Sequence, residues 1–178
     1  MPSPLRFLPA ALALLLPLAT PRAAQARDEP EADPALLLQA FNESCRQGFP
    51  DLDAIAAHVV TQGWTETTPR LVSGSGLIVI PRMFHKNGLV LSLVTPNGDA
   101  YSAVCQVTGA GTTRLTGKDV AAIVSPSLNA GEPVFGPGDP KEDDLAVWTV
   151  KPGITVQAGV NVYRRKVRSL TISVRQAR

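Results

Sequence analysis

The chain has 178 residues, with 17 Lys and Arg against 15 Asp and Glu, 44% hydrophobic side chains and 5% aromatic ones. That length suits one domain around one core, and a net charge of +2 lacks the strongly basic balance of a nucleic-acid-binding domain. After the first 26 residues no apolar run approaches the roughly 20 residues of a membrane-spanning helix, so no transmembrane segment is expected.

From the N-terminus, Arg6 precedes an apolar run from Phe7 to Leu18, and small residues end in Ala24-Gln25-Ala26. One cation, about a dozen apolar residues and an Ala-x-Ala ending form the pattern of a cleavable signal peptide. Residues 1–26 are therefore expected to be a leader cut between Ala26 and Arg27, directing the protein to the periplasm or exterior. The alternative is an apolar N-terminal helix of a cytosolic protein. Without Arg6 and Arg22, 15 cations remain against 15 acids, and the mature charge is near zero. Residues 27–34, acidic and Pro-containing, read as a flexible lead-in, and 35–178 as a single domain.

Asp33-Pro34 reads as N-cap and first position of a helix to about Cys45. Leu37, Phe41 and Cys45 fall on its core face, with Leu38 beside them. Gly48 and Pro50 break the chain. Asp51 caps a second helix, Leu52 to Gln62, with Leu52, Ile55 and Val59 as its apolar stripe. Gly63 suits its C-terminus, and Trp64 is expected to fold back onto the core. After Pro69 the period changes to that of strands. Ser73–Gly76 reads as a flexible lead into a strand at Leu77–Ile80, and Pro81–Gly88 as a connection. Leu89–Val94 and Ala100–Val107 flank Thr95-Pro96-Asn97-Gly98-Asp99, a hairpin signal in which Pro presets the turn and Asn-Gly supplies positive φ. Tyr101, Ala103, Cys105 and Val107 then share one face.

Thr116-Gly117-Lys118-Asp119 resembles a capping box. The helix it opens carries Val120, Ile123 and Val124 and is expected to stop near Ser125, before Pro126. Glu132–Asp144 reads as a solvated loop. Leu145–Val150, Ile154–Val162 and a last strand through Leu170, Ile172 and Val174 form a meander, with turns at Lys151-Pro152-Gly153 and Arg164–Lys166. The order predicts an α+β fold: an antiparallel sheet, two N-terminal helices, and one helix between a hairpin group and the C-terminal meander. Cys45 and Cys105 are an even pair in a chain expected to be exported, which favours one disulfide over two buried free thiols.

Chemistry-bearing patterns are sparse, and no catalytic residue, metal ligand set or cofactor is assigned. His58 lacks a second ligand at i±4, and His85 sits in an expected turn beside Lys86; zinc needs three or four ligands. Ser73-Gly74-Ser75-Gly76 matches neither a nucleophile elbow nor a phosphate loop. Ser75, His85 and Asp99 can form a hydrolase cluster only by converging in space. Asp139, Glu142, Asp143 and Asp144 lack the ligand alternation of an EF-hand, so a solvated loop is expected there. Arg164, Arg165, Lys166 and Arg168 cluster at the last hairpin turn as an anion-binding candidate. Against that stands the role of a charged edge that discourages sheet pairing. Asn42-Glu43-Ser44 fits the glycosylation pattern but falls on a helix.

Phe41-x-x-x-Cys45, Ile55 to Gly63-Trp64, Ala103-Val104-Cys105-Gln106-Val107 and Trp148 together resemble small exported bacterial proteins of uncharacterised function. That resemblance implies an oxidising compartment and a Cys45–Cys105 pairing, and it transfers no active site. The expected function is that of a non-catalytic periplasmic binding or inhibitor-type protein. Its partner is unassigned, an envelope protein or an anionic surface being the candidates, with no nucleic acid. The alternatives are a hydrolase with an unrecognised site and an electrostatic binder of anionic envelope surfaces through the C-terminal basic hairpin.

Overall fold

Asp33 opens the first helix as its spacing requires: its carboxylate accepts from the backbone N–H groups of Ala35 and Leu36 at 2.9 and 3.4 Å. The computed structural model describes residues 32–67, 72–74, 77–79, 81–95, 101–109, 113–136, 145–163 and 167–178. Helix α1 (Pro34–Glu43) stops two residues earlier than the periodicity predicts. Ser44 leaves the helical path and its Oγ donates to the Ala40 carbonyl at 2.6 Å. A separate turn, α2 (Cys45–Gly48), then carries the cysteine. Leu37, Phe41 and Cys45 are all buried, so the predicted core face survives the break. Helix α3 (Leu52–Thr61) is capped by Asp51, buries Ile55 and Val59, and leads through Gly63 at φ +84 to a buried Trp64.

Eight strands form one sheet, and every neighbouring pair in it is antiparallel. They are β1 (Thr65–Thr67), β4 (Arg82–Lys86), β5 (Leu89–Val94), β6 (Tyr101–Gly109), β10 (Val167–Ala177), β9 (Ile154–Tyr163), β8 (Ala146–Lys151) and β7 (Val134–Phe135), in that spatial order. The hairpin group and the meander are therefore one surface, joined where β10 pairs with β6. Core residues lie in register across it: Leu93, Cys105, Val174, Val156 and Trp148 make one row, and Leu91, Val107, Ile172, Ala158 and Ala146 the next. All ten are at most 4% exposed. The helices cover this face, with α3 on β5, α1 and α2 on β6 and β10, and α4 (Gly117–Leu128) on β8 and β9. The fold is α+β with one disulfide, Cys45–Cys105, its Cα atoms 5.6 Å apart.

Several local expectations change, beginning with the expected loop Glu132–Asp144, in which Val134–Phe135 is strand β7 paired with β8. Pro81–Gly88 is not a connection, because Arg82–Lys86 is strand β4. It buries only Phe84 of its five residues, so it shows almost no period-two signal. β1 was equally unmarked, since none of its three residues is buried. Residues 73 and 74 belong to β2 (Val72–Gly74), which pairs with β3 (Leu77–Val79) as a hairpin apart from the main sheet. Finally, α4 does not stop before Pro126 but runs through it to Leu128. Proline removes one donor, to the carbonyl of Ala122. Ala122 is exposed, so water can serve that carbonyl, and the extra turn buries Leu128 to 5% exposure. The capping box holds as read: Thr116 Oγ1 accepts from Asp119 N at 3.3 Å, and Thr116 N donates to Asp119 Oδ2 at 2.8 Å.

Candidate ligand-binding cleft

The residues after Cys45 begin the site. The disulfide holds α2 against β6, and Gly48 lets α2 approach α3. A Cβ on Gly48 would stand 2.8 Å from Ile55 Cγ1, so a larger residue would force the two apart. Next to the disulfide, Arg46 reaches out to the end of α4. Its Nη1 donates to Asn42 Oδ1 at 3.3 Å and to the Ser127 carbonyl. This tie exists only because α4 passes Pro126. It places a guanidinium over a helix C-terminus, where a cation is favoured.

The opposite wall is the turn between β8 and β9. Pro152 and Gly153 form its two-residue loop, with Gly153 at φ +73, which glycine adopts without strain. The Gly153 carbonyl accepts from Ala177 N at 2.7 Å, fixing the turn to the end of β10. Thr149 pairs with Thr155 and Lys151 with Ile154, leaving Val150 as an extra residue: a β-bulge. In a regular strand Val150 and Lys151 would point to opposite faces. The bulge sets both against one partner and re-aims Lys151. Ile154 is on the helix-covered face, two residues before Val156, so Lys151 joins that side.

Between these walls lies a cleft of about 360 Å³. Its floor is the core itself: Phe41, Leu128, Val156 and Val174, none more than 5% exposed. Its rim is half-buried Phe49, Val150 and Ile154 with exposed Arg46 and Lys151. Among the described residues, none that lines it is an acid.

A second cleft, of about 430 Å³, lies beside Arg82 and is lined by Asp51, Asp53, Leu93, Thr95 and Ser102 among others. Here the cation is matched. Arg82 donates to both carboxylate oxygens of Glu66, at 2.8 and 3.2 Å, and to Asp53 Oδ1 at 3.2 Å. The hydrogen bond from Arg82 holds the Glu66 carboxyl below its ordinary 4.5, and the charge of Arg82 adds to this.

The residues singled out in the sequence are described only in part. His85 is in strand β4, not a turn, in register with Thr65 and Val90 and exposed. Ser75 and Asp99 lie outside the described residues, as do Asp139, Glu142, Asp143, Asp144, Arg164, Arg165 and Lys166. Arg168 pairs with Val162 along β10, and its side chain is outside the description. His58 Nε2 stands 3.2 Å from the Glu43 carbonyl and 3.0 Å from Gln62 Nε2, linking α3 to the end of α1. Among the described residues no group of three or more His, Cys, Asp or Glu is placed to hold a metal ion, and no helix is long and apolar enough to cross a membrane. Sequence reasoning missed Arg46 and Lys151. Arg46 is one cation on a helix end, and Lys151 looked like a turn residue because a bulge leaves no mark in the alternation. The Pro152-Gly153 pair was the one usable signal.

A scan of the chain against protein-family models finds no match, and neither does a search of curated proteins or of solved structures.

Proposed function

We propose that this chain is an exported binding protein of an oxidising compartment, holding a small molecule with an apolar body in the cleft between α2, the end of α4 and the β8–β9 turn. The observation that carries this is a cleft about 360 Å³ in volume that rests directly on core side chains. Ligand sites are concave, mostly apolar and about 300–1,000 Å³ in size. The leader pattern of residues 1–26 and the Cys45–Cys105 bridge support export, since disulfides persist in oxidising compartments.

The test uses the protein made in an exporting bacterial host and the neutral dye N-phenylnaphthylamine. One dye per chain is expected to bind saturably with enhanced fluorescence, and Val150→Trp, which fills the rim from the bulge in β8, is expected to abolish it. Absence of saturable binding, or binding indifferent to Val150→Trp, overturns the assignment. The intact mass of the exported protein is expected to begin at Arg27 and to lack two thiol hydrogens. A retained leader or free thiols would remove export from the proposal.

A further inference from the structure

We infer that the ligand class is an anionic single-chain amphiphile, a carboxylate with an aliphatic tail, whose head sits between Arg46 and Lys151 and whose tail lies along the half-buried Phe49, Val150 and Ile154. This deepens the proposed binding function and rests on it. Charge complementarity is the reason. Among the described residues the two charged side chains of the rim, Arg46 and Lys151, are both cations, and none that lines the cleft is an acid.

Arg46 is held by an amide oxygen and a main-chain carbonyl, which fix its position and leave it without a carboxylate partner among the described residues. Arg82 shows how this chain neutralises a guanidinium when that is the outcome, with two carboxylates. Lys151 stands on the cleft side because of an irregularity in the strand, and bulges of this kind re-aim side chains beside functional sites. The mature chain is near zero in net charge. Attraction of an anion is therefore a local property of this rim, not a property of the whole surface. A carboxylate between an arginine and a lysine accepts charge-assisted hydrogen bonds, the stronger kind. Its tail gains by covering the half-buried apolar side chains Phe49, Val150 and Ile154.

The experiment is calorimetric titration of the oxidised protein with decanoate, decyl phosphate, decanol and decyltrimethylammonium below their micelle-forming concentrations, with acetate as the tailless control. Decanoate is expected to bind about tenfold or more tighter than decanol, the scale of one good charge-assisted contact, and the cationic analogue more weakly than either. Lys151→Ser is expected to lower decanoate affinity about tenfold and leave decanol unchanged. Lys151 is exposed at the end of β8, so this variant keeps the fold even if Arg46→Gln loosens the end of α4. Arg82→Ser is expected to change neither. Equal binding of decanoate and decanol overturns the anionic assignment while leaving the apolar cleft in place. No binding of any tailed probe overturns both. Tighter binding of decyl phosphate than decanoate replaces the carboxylate by a phosphate ester. Acetate binding as well as decanoate removes the tail from the claim.

Discussion

Arg46 and Arg82 each stand at the mouth of a cleft, and they differ in what surrounds them. Arg82 lies on β4, where the sheet brings it beside Glu66 of β1 and close to Asp53 of α3. Its side chain also stacks over Phe84, 5.6 Å from the ring centre. Everything that charge needs is supplied from within. Arg46 has the same guanidinium but only neutral acceptors, and its neighbours across the cleft are apolar or, at Lys151, cationic. Net charge does not distinguish the two places. The pairing of each charge does, and a cation with no carboxylate partner among the described residues, beside half-buried apolar side chains, is where an anion from outside gains most.

Three changes break or sharpen this contrast, taken from the largest effect down. Reducing Cys45–Cys105 frees a loop of about 60 residues and detaches α2, which carries Arg46, from β6. The chain-entropy scale for such a loop is about 4 kcal/mol. Urea denaturation with and without reductant should show a loss of that order. Ligand binding at the Arg46 cleft should vanish before global unfolding, while the Arg82–Glu66 pair on β4 and β1 persists. Next, Leu128→Ala removes a floor residue of the first cleft only, at about 3 kcal/mol of stability. Asp53→Ala in the second cleft should be close to neutral in the same denaturation assay, because its side chain is 97% exposed and surface ion pairs contribute little.

The smallest change is electrostatic and should separate the clefts by pH. Glu66 titrates below its ordinary 4.5 in the folded chain because Arg82 donates to it. Asp119 lies below its ordinary 3.8 because Thr116 N and then Thr116 Oγ1 donate to it. Both folded values are depressed, so their stabilisation is complete above the unfolded values and is lost as pH falls through the folded ones. Carboxyl resonances followed by NMR should place both midpoints below the ordinary values. On acidification Arg82 loses a partner while Arg46, held by groups that do not titrate, is unchanged. A Glu66 midpoint at or above 4.5 would remove the contrast between the two arginines.

Much of this architecture was legible in the sequence. The two capped N-terminal helices, the Leu89–Val107 hairpin strands and the meander follow from periodicity, because each buries one face continuously. β4 was not legible, since a strand with one buried residue has no pattern to read. The passage of α4 through Pro126 was hidden because tertiary burial of Leu128 overrode a local stop signal. The cleft was hidden for the same class of reason. Arg46 is given its place by a carbonyl 81 residues away, and Lys151 by a register shift. Both are products of pairing between distant segments, which local propensity does not encode. The basic cluster at Arg164–Arg168 drew attention because it is contiguous in sequence.

The most direct test of the central claim is amide chemical-shift mapping on the oxidised protein as decanoate is added. Shifts are expected to concentrate at Arg46, Phe49, Asn129, Val150, Lys151 and Ile154, and to be absent in Val150→Trp. Shifts centred instead on Arg82, Thr95 and Ser102, or spread over the sheet without saturation, would contradict the claim that the rim cations Arg46 and Lys151 select the ligand.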